Sequence, residues 1–310
     1  MQSIEYLSFE ASSYCGGNCF FCPQDRYQLR NQTMPFEIFK KAVDEAAPMG
    51  LKLISFGVMG DSWLDKGLGE KLKYVKHNYP NVQTYIATTG HVIDFDLVKY
   101  FDVIKLSNYG FTKGTFESMH GGSVKFEDAQ LNIKTLLSLP NERRGGVHIY
   151  MSYLLTQRNA HEKDAWLEYW EPKVDEISIW KLCNVGGAIE VDALDDIEYN
   201  GPAKSCGRGL SGNMAIRVNG LVSMCCFDNF LDLVIGDLRE ESFADMFANS
   251  EMFRRIVKVH KSNNFVACGL ICEKCDQIYD RTDALIYTNA GRKIGSIAAK
   301  GTSISHYVQE

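Results

Sequence analysis

Short β-branched and apolar runs alternate with helical stripes through the first 180 residues. Six such runs read as strands: Ile4–Phe9, Leu53–Phe56, Val82–Ala87, Val103–Leu106, Val147–Leu154 and Ile177–Trp180. Between the first two, MPFEIFKKAVDEAAP places Phe36, Phe39, Val43 and Ala46 on one helical face, with Thr33 as expected N-cap and Pro35 in the first turn. Leu68, Leu72 and Val75 form a second stripe, Phe126, Leu131 and Leu137 a looser third, and a further helix is expected over 161–171. Six strand–helix alternations imply a parallel α/β sheet with right-handed crossovers, closed into a full or partial barrel. Chemistry in such folds collects at the C-terminal strand ends.

The pattern breaks in CNVGGAIEVDALDDIEYNGPAKSC, rich in glycine and acid, so a boundary is expected around 184–200. The first unit is thus 1–190. A smaller α+β unit follows over about 200–280. Its hairpin, Met214–Val218 with Leu221–Cys225, turns on Asn219-Gly220. Phe243, Met246, Phe247, Phe253 and Ile256 give the apolar side of one following helix, and CGLICEKC follows that helix. The tail, 281–310, is polar and glycine-dotted and suggests no role.

Composition narrows the class. The chain has 310 residues, is 45% hydrophobic and carries a formal charge of −6, which speaks against a nucleic-acid or anionic-membrane binder. No signal peptide or bilayer-length apolar run is present, so a cytoplasmic protein is expected. Ten cysteines are many for a reducing compartment. Cys15, Cys19 and Cys22 form one group; Cys206, Cys225, Cys226, Cys268, Cys272 and Cys275 form another, and Cys183 stands apart. Local clusters point to metal or iron–sulfur ligation.

The first group, CGGNCFFC, has C-x3-C-x2-C spacing directly after the first strand. Three thiolates in one loop hold three irons of a 4Fe–4S cluster and leave the fourth open, and an open position is the mark of a catalytic metal site. Half of a zinc site is the plainer alternative. The triad at the end of a first barrel strand resembles the radical S-adenosylmethionine (SAM) superfamily, built on a partial (β/α)6 TIM-like barrel. The resemblance implies a 4Fe–4S cluster on Cys15, Cys19 and Cys22 that binds SAM. It also implies a 5′-deoxyadenosyl radical and electron supply by a reductase such as a flavodoxin or ferredoxin. It implies Phe21 near the adenine, and Asp61 in FGVMGDSWL where the family usually has glutamate. Thr88 of TTG, with Ser107 and Asn108 of KLSNYG, would be further SAM contacts.

In the second group, thirteen residues separate Cys206 from Gly220 and four separate Gly220 from Cys225; Cys268-x3-Cys272-x2-Cys275 comes later. A hairpin ligand with a distant C-x2-C doublet also builds a zinc ribbon. The pattern resembles the SPASM and twitch extensions of radical SAM enzymes, which implies one auxiliary 4Fe–4S cluster on Cys206, Cys225, Cys272 and Cys275, with Cys268 able to replace Cys272. Cys226 and Cys268 are then left over. Each is either a small buried hydrophobe or a hydrogen-atom donor, with Cys226 the first candidate and Cys268 the second. Cys226 is expected on the opposite side of a strand from Cys225.

Two functions compete within this resemblance. One is an oxidoreductase or epimerase acting on a C–H bond of a small polar substrate such as a sugar or aminocyclitol. The other is maturation of a ribosomally made peptide, although no leader-binding segment is expected before the first strand. A non-catalytic zinc protein is the third reading. SYLLTQRN and WKLCNVGG should line the pocket. His120, His148 and His161 are read as solvated or structural.

Overall fold

The computed structural model describes residues 3–189, 201–279 and 284–290. The first unit runs β1 (Tyr6–Phe9), α1 (Phe36–Ala46), β2 (Leu53–Phe56), α2 (Leu68–Asn78), β3 (Gln83–Thr88) and β4 (Val103–Ser107). It continues with α3 (Lys113–Met119), α4 (Phe126–Ser138), α5 (Asn141–Arg144), β5 (His148–Leu155), α6 (Lys163–Trp170) and β6 (Glu176–Lys181). These six strands are neighbours in chain order and every pair is parallel, the arrangement of an open partial barrel. The crossover from β3 to β4 carries only the 3-10 turn Val98–Tyr100, so one expected helix is absent there.

The C-terminal part extends the same sheet. Strands β7 (Asn213–Ile216), β8 (Leu221–Ser223) and β9 (Val234–Asp237) form an antiparallel ribbon, and β7 lies parallel to β1. Two helices follow, α7 (Phe243–Asn249) and α8 (Glu251–Ser262), where the apolar stripe suggests one. Ser250 divides them: it ends α7 and caps α8, its side chain accepting from the Phe253 amide. Strand β10 (Leu285–Thr288) pairs antiparallel with β6, so part of the tail closes the far edge of the sheet. The expected boundary falls partly on 190–200, outside the described residues.

Packing behind the sheet explains the order. Phe9, Phe39 and Phe56 bring β1, α1 and β2 together, with the Phe9 and Phe39 ring centres 4.6 Å apart. Thr33 is not the cap of α1. It sits in a bridge with Ser12, and Pro35 occupies the cap position with no side-chain acceptor. On α4 the buried stripe is Ala129, Ile133 and Leu136. Leu131, expected inward, is 66% exposed, because it lies off the row that runs from Phe126 through Ala129, Ile133 and Leu136.

Polar contacts lock the two parts together. Buried Glu10, just past β1, accepts from Tyr27 Oη at 2.6 Å and from the Val218 amide at 2.9 Å. Lys41 Nζ on α1 donates to the Leu238 and Glu241 carbonyls, and Glu45 accepts from the Phe243 amide at the start of α7.

Candidate functional site

The first cysteine group lies in the loop leaving β1. A side chain at Gly17 would put its Cβ 3.6 Å from Cys15 Sγ and 3.5 Å from Cys19 Sγ, so glycine lets the loop curl between the two sulfurs. The Gly17 amide donates to Cys15 Sγ at 3.3 Å, and Gln24 Nε2 holds the loop through the Ser13 carbonyl. Burial raises all three thiols, Cys15 to about 11. Three half-exposed sulfurs on a glycine-cradled loop fit an iron–sulfur cluster bound on its protein side and open on the other.

His120, expected to be solvated or structural, packs against this loop. His120 is buried, with Nδ1 3.4 Å from Cys19 Sγ, and its carbonyl accepts from the Asn18 amide. Its ring stacks on Tyr109 with an interplanar angle of 14°, and Tyr109 meets Phe21 edge-on at 5.5 Å. Burial pushes His120 down to about 3, so the ring is neutral. Its Nε2 has no hydrogen-bond partner among the described residues. No helical or strand period could have flagged it.

The other expected contacts fall into two kinds. Asp61 is buried; Oδ2 accepts from Thr88 Oγ1 at 2.7 Å and Oδ1 from the Trp63 amide at 3.1 Å. Asp61 and Thr88 therefore serve each other, tying the end of β2 to the end of β3. Asn108 accepts from Trp166 Nε1 at 2.9 Å, while its buried Nδ2 is left without a partner. Ser107 is half-buried at the end of β4.

A cavity of about 270 Å³ occupies the barrel, lined by all six of its strands or their ends. Tyr6, Tyr85, Tyr109 and Lys105 reach it from β1, β3 and β4, and Trp180 and Cys183 from β6 and beyond. Of SYLLTQRN, Ser152 and Leu154 line it; Trp180, Lys181 and Cys183 do so from WKLCNVGG. Arg208, Cys226 and Phe227 form its C-terminal wall.

Behind that wall lies a second, narrow apolar pocket ringed by Cys206, Cys225, Cys272 and Cys275. Arg208 and Phe227 line both pockets, the guanidinium 4.8 Å over the Phe227 ring. Cys268 lines neither; its carbonyl accepts from Arg255 on α8. His260 Nε2 lies 3.5 Å from Cys272 Sγ, and His260 Nδ1 2.8 Å from Ser205 Oγ. The second set thus also carries a buried histidine against one sulfur. No disulfide joins any of the ten cysteines. Among the described residues no three His, Cys, Asp or Glu side chains converge as one metal ion requires. Sulfurs spread around a pocket suit a cluster, where each ligates a different iron.

Cys225 and Cys226 lie in the turn after β8, which ends at Ser223, so the turn and not strand alternation directs them to different pockets. Cys226 is drawn down to about 6, first by a hydrogen bond from Cys225 and then by the Arg208 and Arg217 charges. Iron on Cys225 would remove that S–H donor, leaving burial, which raises the thiol, opposed by the two guanidinium charges.

Residues 206–276 match the SPASM family, an iron–sulfur cluster-binding domain. No curated protein matches the chain. The fold matches solved structures at low identity. BtrN in complex with AdoMet and 2-DOIA has a TM-score of 0.60 at 16% identity, covering 92% of this chain and 100% of that one. SuiB of Streptococcus suis, bound to precursor peptide SuiA, gives 0.67 at 15%, over 83% of this chain and 67% of that one. The AdoMet-bound anSMEcpe gives 0.58 at 15%, over 83% and 80%. Among the described residues no helix is long and apolar enough to cross a membrane.

Proposed function

We propose, for a chain with the fold of the radical SAM enzymes that carry SPASM or twitch domains, an oxidoreductase or epimerase that removes a hydrogen atom from a C–H bond of a small polar substrate. The observation that carries this reading is the division of Cys225 and Cys226 between the sulfur-lined pocket and the barrel cavity.

Cys15, Cys19 and Cys22 would hold the SAM-binding cluster, and Cys206, Cys225, Cys272 and Cys275 the auxiliary one. When bound, SAM and its cluster supply a 5′-deoxyadenosyl radical. Phe21, Ser107 and Asn108 would contact the cofactor. The unpartnered Asn108 amide is the best placed to donate, while Asp61 and Thr88 shape the strand ends. The barrel walls hold the substrate and exclude water.

In epimerisation the Cys226 thiol gives its hydrogen atom to the face opposite the one abstracted. The resulting thiyl regains an electron through the wall formed by Arg208 and Phe227, and a proton from solvent. In dehydrogenation the substrate radical loses a proton, and its electron leaves through the same wall. The cavity's size, about 270 Å³, favours a small molecule over a folded segment of peptide. Turnover in deuterated water separates the two outcomes. An inverted product with one solvent deuterium supports epimerisation, and a product two hydrogens lighter supports dehydrogenation. A cross-linked or oxidised peptide product would transfer the chain to the peptide-maturing class.

A further inference from the structure

The barrel cavity is lined by Lys105, Lys181 and Arg208 and, among the described residues, by no aspartate or glutamate. Lys105 points inward from β4. The Tyr150 ring centre lies 5.6 Å from Nζ and the Cys183 thiol lines the same cavity, but no carboxylate is hydrogen-bonded or ion-paired to Lys105 among the described residues. The buried Lys71 shows the usual alternative: its Nζ donates to Asp65 at 2.8 Å. An ammonium withdrawn from water without a counter-charge is costly, and burial accordingly depresses Lys105 to about 8.

The neighbouring groups do not supply the missing charge. Tyr6, Tyr85 and Tyr109 are held as neutral phenols by burial, so they offer O–H donors. The Arg208 guanidinium lies 4.8 Å over the Phe227 ring and lines the sulfur-ringed pocket as well as the barrel cavity, which makes it a counter-charge to the second sulfur set. The cavity therefore offers positive charge and donors to whatever enters it.

We propose that the substrate is an anion whose carboxylate or phosphate group pairs with Lys105 inside the barrel. This rests on the reading of the barrel cavity as the substrate site. It sets the substrate apart from a cationic aminocyclitol, which would place like charges together. An oxyanion has two possible sources, the substrate or the methionine carboxylate of SAM itself.

The test titrates inorganic phosphate calorimetrically into the anaerobic holoenzyme, with and without saturating SAM. The same titration is run on Lys105→Met and Lys105→Arg, with iron content and SAM cleavage measured on each sample. The expected result is phosphate binding that survives SAM, weakens about tenfold or more in Lys105→Met through loss of a charge-assisted hydrogen bond, and is retained in Lys105→Arg. Absence of binding to the wild type, or equal binding to Lys105→Met, overturns the proposal. Abolition of binding by SAM assigns Lys105 to the cofactor and likewise overturns it. A protein that cleaves SAM but ignores phosphate loses this inference alone; one that does not cleave SAM loses the reading beneath it.

Discussion

Cys225 and Cys226 are consecutive in the chain yet line different pockets, the first among three other cysteines and the second inside the barrel. One peptide unit thus spans the wall between a sulfur-lined site and a substrate-sized cavity. Loss of the Cys226 thiol should separate the two halves of the chemistry. Cys226→Ala is expected to form 5′-deoxyadenosine at near wild-type rate while product inversion and solvent-deuterium uptake disappear, as mass spectrometry of the products will read. Inversion at the wild-type rate would make Cys226 a packing residue.

The four cysteines around the second pocket are expected to behave alike, and Cys268 differently. Wild-type protein purified without oxygen should hold about eight irons, in two four-iron clusters. Cys272→Ala should hold about half of that, and Cys268→Ala the full amount. Equal iron loss in both variants would return Cys268 to the ligand set.

Each sulfur set has a histidine against it, His120 to Cys19 and His260 to Cys272. An N–H donated to a ligand sulfur stabilises the more negative, reduced cluster and raises its potential. His120→Phe should lower the midpoint potential of the N-terminal cluster by roughly 60 mV, a tenfold shift in the redox equilibrium, and leave the other unchanged. His260→Phe should do the reverse. Redox titration followed by EPR distinguishes the two, and a variant with both potentials unmoved would reduce its histidine to packing.

Glu10 links β1 to the C-terminal hairpin, and burial raises its carboxyl from 4.5 to about 7. Its Oε1 has no hydrogen-bond partner among the described residues. Because the folded pKa is raised, the folded state binds the proton more tightly, so stability falls as pH climbs from about 4.5 to about 7 and the penalty is complete above that. The penalty is on the order of 3 kcal/mol at pH 8. Glu10→Gln keeps an acceptor for Val218 without the charge. Its thermal midpoint should exceed the wild type's at pH 8 and lose that advantage at pH 5, in paired unfolding scans.

What the sequence disclosed followed from periodicity and spacing. All six barrel strands lie within two residues of their expected bounds at either end, since parallel strands buried on both faces are continuous apolar runs. The cysteine groups were visible because their C-x3-C-x2-C spacings, at 15–22 and 268–275, are local. The remainder depends on contacts distant in sequence. Strand β10 is four residues, LIYT, and is a strand only because β6 offers an open edge. His120 lies 101 residues from Cys19, so their contact leaves no local trace. Lys105 sits in a strand whose side chains alternate between core and cavity, and only the assembled partial barrel makes it informative. The pairing of β7 with β1, which makes the auxiliary pocket a neighbour of the barrel cavity, was also beyond local pattern.

The most direct measurement of the central claim is SAM cleavage by the anaerobically purified protein reduced with dithionite. Wild-type protein is predicted to release 5′-deoxyadenosine and methionine, and Cys15→Ala, Cys19→Ala and Cys22→Ala are predicted to release none. A colourless protein that holds zinc, lacks iron and leaves SAM intact would contradict the account.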